Sequence, residues 1–166
     1  VNDADALEAR LVDLEGAGAR HQWRGFLRAD VVKRGAIGAS DLEHIAKAAP
    51  ALHAAGNRRY LALLHSLSGV VLAQGGRVEE ATSALRQAEK LATAVQASDV
   101  LGIICNNQAN VALIQHHHEQ ALALAEQSAA LQEQIGPGRG LAISLATLGQ
   151  ILVRLGQLER AEQVLH

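Results

Sequence analysis

The chain has 166 residues, of which 49% are hydrophobic, 2% aromatic and 19% charged, and its 15 Lys and Arg against 17 Asp and Glu leave a formal charge of -2. This apolar share at so small a net charge excludes an intrinsically disordered chain, and a single cysteine, Cys105, excludes a disulfide scaffold. No apolar run approaches the ~18 residues of a membrane-spanning helix, and no basic surplus supports general binding of nucleic acid.

From the start, Leu7, Leu11 and Leu14 predict a helix over 4–15, and Trp23, Leu27 and Val31 a second over 21–34, with Lys33-Arg34-Gly35 as a turn. Ser40-Asp41-Leu42-Glu43 reads as a capping box. It opens a helix carrying Leu42, Ile45, Ala49 and Leu52, which contains the awkward Pro50 and which Gly56 ends. Leu61, Leu64, Leu67, Val71 and Leu72 form the apolar face of the next helix, and Gly75-Gly76 supplies the left-handed geometry that stops it. Val78, Ala81, Leu85, Ala88 and Leu91 then follow at helical spacing, and Ser98 and Asp99 are expected to cap the helix after that. Gln115-His116 marks a turn, Gly136-Pro137-Gly138 a break, and Leu155-Gly156 a last turn. No sustained alternation suggests a strand.

Three stretches repeat without a gap at an offset of 40 residues, opening at Leu61, Leu101 and Leu141 and closing at Ala81, Ala121 and Ala161. Small residues recur in register at Gly69, Ala109 and Gly149. Two helices of one hairpin approach within ~8–10 Å only over small side chains, so Gly69 is expected to face Ala81 and Gly149 to face Ala161. A mid-helix Gly costs ~1 kcal/mol against Ala, which close packing offsets.

The small residue, the turn glycine and the alanine twelve residues on, with the runs GGRVEEA and LGQLERA, resemble the tetratricopeptide repeat. The resemblance covers 58–166 best. The period is longer than the usual ~34 residues and is similar to the extended repeats of bacterial regulators and kinesin light chains. It implies an all-α, right-handed superhelix of antiparallel helix pairs, with about nine helices in all. Residues 1–57 are expected to hold degenerate repeats of the same array, and 58–97, 98–137 and 138–166 three units, the last truncated. The chain starts at Val1 and stops in a helical pattern, so we expect a piece of a larger cytoplasmic bacterial regulator.

Sites of chemistry are sparse. His116-His117-His118 invites a metal reading, but consecutive turn residues diverge, whereas tetrahedral zinc needs converging ligands. The stretch HEQAL lacks the second His of the zinc motif, with Leu122 in its place. Gly136, Gly138 and Gly140 mimic a phosphate loop without the strand or the Gly-Lys-Ser/Thr it requires. Cys105 has no adjacent base, and no serine sits in a nucleophile elbow. We therefore expect no catalytic residue, no metal and no cofactor. Arg20, Arg24 and Arg28 form one stripe, read as a solvated face.

The resemblance implies that the first helix of each unit lines a concave groove. The matching residues are Leu63, Ser66 and Val70, then Ile103, Asn106, Asn107 and Asn110, then Ile143, Thr147, Gln150 and Arg154. Asn106 and Asn110 lie one turn apart on one face, and an amide both donates to and accepts from a peptide backbone. The expected function is non-catalytic binding of a protein or peptide. The alternative is a module that packs on sister domains or on itself.

Overall fold

The computed structural model describes residues 49, 50 and 52–165. The helices expected over 4–15 and 21–34, the Ser40 capping box and the arginine stripe lie outside the described residues. Pro50 and residues 52–54 are helical, and Gly56, at φ +65°, ends that helix. Six helices follow: α1 Arg58–Gln74, α2 Val78–Ala94, α3 Ser98–Ile114, α4 His118–Ile135, α5 Arg139–Arg154 and α6 Leu158–Leu165. Among the described residues there is no strand.

The turns are the most regular feature. Positive φ occurs at Gly56, Gly76, Gln96, His116, Gly136 and Gly156, one residue every 20. After such a residue the next N–H reaches back to a carbonyl five positions earlier. These bonds run from Asn57 to Leu52, Arg77 to Leu72, Ala97 to Ala92, His117 to Ala112 and Gln157 to Leu152, at 2.9 to 3.0 Å. They satisfy carbonyls that a helix end leaves open. At the remaining junction the donor position holds Pro137, which has no N–H. There Gly136 adopts φ 106° and ψ 177°, and Gly138 is extended. Ser98 and Asp99 do not cap α3. Its N-cap is Ala97, without a side-chain cap bond, because the three-residue turn is already closed from the preceding helix.

Each tight turn folds two helices back to back, giving the hairpins α1–α2, α3–α4 and α5–α6. Successive hairpins stack through α1 on α3 and α3 on α5, with α2 against α3 and α4 against α5. The second helices α2 and α4 barely meet each other. Contact among first helices but not among second helices curves the array, with α1, α3 and α5 on the inner side. The result is an all-α solenoid of helical hairpins. Its core is aliphatic and rich in alanine. Ala62, Ala88 and Ala92 pack with Val100 and Ile104 between the first two hairpins. Ala109, Ala121 and Ala125 pack with Leu148, Ile151 and Leu152 further on.

In the first hairpin Gly69 meets the expected Ala81 at its backbone and, closer still, the side chain of Leu85 one turn on, whereas in the last hairpin the contact falls wholly on the residue one turn beyond Ala161. A Cβ at Gly69 would lie 2.6 Å from Leu85 Cγ, with the Ala81 carbonyl at 3.2 Å. A Cβ at Gly149 would lie 3.0 Å from Leu165, not against Ala161. In the middle hairpin the same two positions hold Ala109 and Ala125, both fully buried. The hairpins thus close with Gly against Leu in the first and last units and with two small alanines in the middle one.

Two stability predictions follow from this geometry. Gly69→Ala is expected to destabilise by about 1–3 kcal/mol through overpacking, and Leu85→Ala by about 2–5 kcal/mol through its cavity. The double variant should cost clearly less than the sum; additivity in urea denaturation would show that the pair is not coupled. At the second-helix junctions, His116→Gly should stabilise the chain by up to about 1 kcal/mol by relieving a left-handed non-glycine. An unchanged or lowered melting temperature would contradict it.

Candidate functional site

Equivalent positions of α1, α3 and α5 form rows across the inner side, spaced by 40 residues. One row is Leu63, Ile103 and Ile143, all half-buried. A second is Val70, half-buried, with Asn110 and Gln150, both exposed. A third, nearer the helix C-termini, is Gln74, Ile114 and Arg154, all exposed. Together they make a mixed surface of aliphatic groups, amides and one guanidinium.

Three residues expected in the groove do not line it. Ser66, Asn106 and Thr147 are buried, Ser66 against α3 of the neighbouring hairpin. Asn107 is half-buried and donates from Nδ2 to Ser66 Oγ at 2.9 Å, joining α3 to α1. Asn106 Oδ1 is buried without a hydrogen-bond partner. The expected pairing of Asn106 with Asn110 on one exposed face is thus divided. Asn110 reaches solvent and Asn106 belongs to the stack.

Polar contacts also fix the seam between the second and third hairpins. Ser128 Oγ donates to the Gly102 carbonyl at 2.7 Å and meets Ser144 Oγ at 2.7 Å. Ser128 has one proton, spent on the carbonyl, so Ser144 donates in the second bond. Gln132 donates from Nε2 to the Asp99 carbonyl at 3.1 Å. Its side chain fills the space that a Cβ would take at Gly102 or at Gly140. Sequence reasoning missed Gln132 and Ser128; the signal was two glycines, Gly102 and Gly140, on helices that face one polar position of a third. Gly136, Gly138 and Gly140 thus serve a turn, a helix start and a close approach.

His116 occupies the left-handed turn position, His117 is the N-cap of α4, and His118 is its first residue. The rings of His116 and His118 stand edge to face, 6.1 Å apart. Among the described residues no group of three or more His, Cys, Asp or Glu is placed to hold a metal ion. Cys105 is buried, and burial, helped by the charge of Glu89, pushes its thiol up to about 11. It is therefore protonated at neutral pH and a poor nucleophile.

His65 holds the same register position as Cys105 and Leu145, and partial burial lowers its pKa below the ordinary 6.5. The folded state thus disfavours the charged ring. Between the lowered value and 6.5 the unfolded chain binds more protons, so stability is highest above pH 6.5 and falls as the pH drops. His65→Leu should flatten that decline in denaturation curves between pH 7.5 and 5.5; an identical slope would remove His65 as its source.

Residues 99–165 match the tetratricopeptide repeat family, a stretch that runs from the first turn of α3 to the end of α6. No curated protein and no solved structure matches the chain.

Proposed function

From a chain that carries tetratricopeptide repeats over residues 99–165, repeats that generally mediate protein–protein interaction, we propose a non-catalytic scaffold that binds a protein or peptide along the inner side of the array. The observation that carries this reading is the pair of open rows, Val70, Asn110 and Gln150 beside Gln74, Ile114 and Arg154. An extended segment needs backbone hydrogen-bond partners at intervals and apolar seats between them. Asn110 and Gln150 offer both donor and acceptor, and Val70 and Ile114 the seats. Leu63, Ile103 and Ile143 form the floor.

The regular junctions support dividing the described array into units 58–97, 98–137 and 138–166. We place this scaffold in a larger cytoplasmic regulator of bacterial type. The likeness of its 40-residue period to sensor arrays supports that setting, as does the single cysteine. Among the described residues, no helix is long and apolar enough to cross a membrane.

The test is selection of binding peptides from a random library on the intact chain, followed by Asn110→Ala and Gln150→Ala. Both side chains are exposed, so thermal stability should hold while affinity falls by about fivefold to tenfold per lost hydrogen bond. Undiminished binding by the double variant would place the ligand elsewhere.

A further inference from the structure

Charge is sorted by helix type. The first helices α1, α3 and α5 carry four arginines and one aspartate, a surplus of three positive charges. The second helices α2, α4 and α6 carry eight glutamates against two arginines and one lysine, a surplus of five negative charges. The helices of the inner side are therefore basic, although the whole chain has a formal charge of -2.

The single acid of the inner helices is already engaged, since Asp99 pairs with Arg59 across α1 and α3. Arg139 holds the register of both, one unit on, and is exposed, as is Arg154. Among the described residues neither Arg139 nor Arg154 forms an ion pair. At 3.6 residues per turn, Arg139, Ile143, Gln150 and Arg154 fall within about 60° of one another around α5 and share one face. Two guanidinium groups thus bracket an aliphatic seat and an amide. Arg154 stands in the last turn of α5, where a cation complements the helix dipole. Arg139 has no such excuse. It is the first residue of α5, where the dipole favours an anion, and every second helix has a glutamate in its first turn. Along the axis the two arginines are about 22 Å apart, the length of about seven extended residues.

We propose that the segment bound on the inner side is acidic, with two carboxylates about seven residues apart that meet Arg139 and Arg154. The proposal rests on the inner-side reading above and adds the charge and spacing of the ligand. The inner arginines draw such a segment in, and the glutamates of the second helices repel it from the outer side. A nucleic-acid strand, with a charge about every 3.4 Å, would set most of its phosphates over Ile143 and Gln150 instead.

The probe is a set of capped octapeptide libraries, Glu-X6-Glu, Gln-X6-Gln and Lys-X6-Lys, each with six random central positions, passed over the immobilised intact chain. Capping removes the terminal charges. Glu-X6-Glu should be retained most and Lys-X6-Lys least, and the preference should shrink at high salt. Placing both glutamates at one end, as Glu-Glu-X6, should weaken it, because only one arginine is then in reach. Arg139→Gln and Arg154→Gln, both at exposed positions, should each lower the affinity of individual Glu-X6-Glu peptides by about twofold to fivefold and leave Gln-X6-Gln peptides unchanged. Far-ultraviolet circular dichroism checks that the variants keep their helices. Equal retention of the Glu and Gln libraries, or a preference that survives in the double arginine variant, would overturn the proposal. Failure of the underlying reading looks different: peptides of both libraries would then bind with affinities that ignore Asn110→Ala and Gln150→Ala.

Discussion

The structure depends on one recurring backbone constraint: the chain reverses after every 20 residues through a single left-handed residue. At five of the six described turns the closing bond spans six residues and ties the start of one helix to the end of the previous one, and at the sixth Pro137 lacks the donor. Helix length is therefore dictated by the spacing of turns. Once the lengths agree, residues at the same register meet the same neighbours in every hairpin. Glycine suits this position because it adopts positive φ without a side-chain clash. At Gln96 and His116 the chain accepts that strain. Both lie inside the array, where packing on either side holds the turn in place.

With register fixed, each interface becomes a local problem of volume and polarity, and the chain solves it differently each time. Hairpin closure uses Gly against Leu at the first and last units and Ala against Ala in the middle. Stacking of the first two hairpins is apolar at the position where Ala88 lies. The corresponding position of α4 is Ser128, which is bonded to the Gly102 carbonyl and to Ser144. A buried hydroxyl without partners would cost roughly 1–3 kcal/mol, so a serine is tolerated only where a facing serine and a carbonyl are both in reach. The facing residue is Ile104 in one seam and Ser144 in the next, and the two changes make sense only together.

Much of this was legible in the residues. The helical period, the turns at Gly76, His116 and Gly156 and the small residues at Gly69 and Gly149 all signal antiparallel helix pairs. The matched stretch 99–165 agrees with that family resemblance. Three details were not legible. The caps of α3 could not be read from Ser98 and Asp99, because turn closure comes from the backbone of Ala97 rather than from a side chain. The leucines that fill the space at the hairpin glycines, Leu85 beside Gly69 and Leu165 beside Gly149, lie one turn beyond the expected alanines, because the offset of two antiparallel helices depends on side-chain volume in three dimensions. The division of the polar inner residues was hidden for a related reason. Asn106 and Asn110 share a helix face, yet the neighbouring hairpin covers one and not the other.

That division suggests what polar residues at the stack are for. Arg59 pairs with Asp99, its counterpart one unit on, and Asn107 bonds to Ser66 from one position beyond the repeat. Half-exposed ion pairs and single amide bonds add little net stability. An apolar, alanine-rich seam is permissive, since sliding one helix along another by a turn replaces small apolar groups with similar ones. Polar pairs are not permissive. A slip of one turn would separate the guanidinium from its carboxylate and strand the amide against aliphatic surface, at a cost that the correct register never meets. Stability thus comes from the apolar contacts and uniqueness from the few polar ones, the division of labour attested for buried polar groups in coiled coils. Where the array faces solvent instead of itself, the same kinds of side chain, Asn110 and Gln150, are left with bonding capacity that register does not consume.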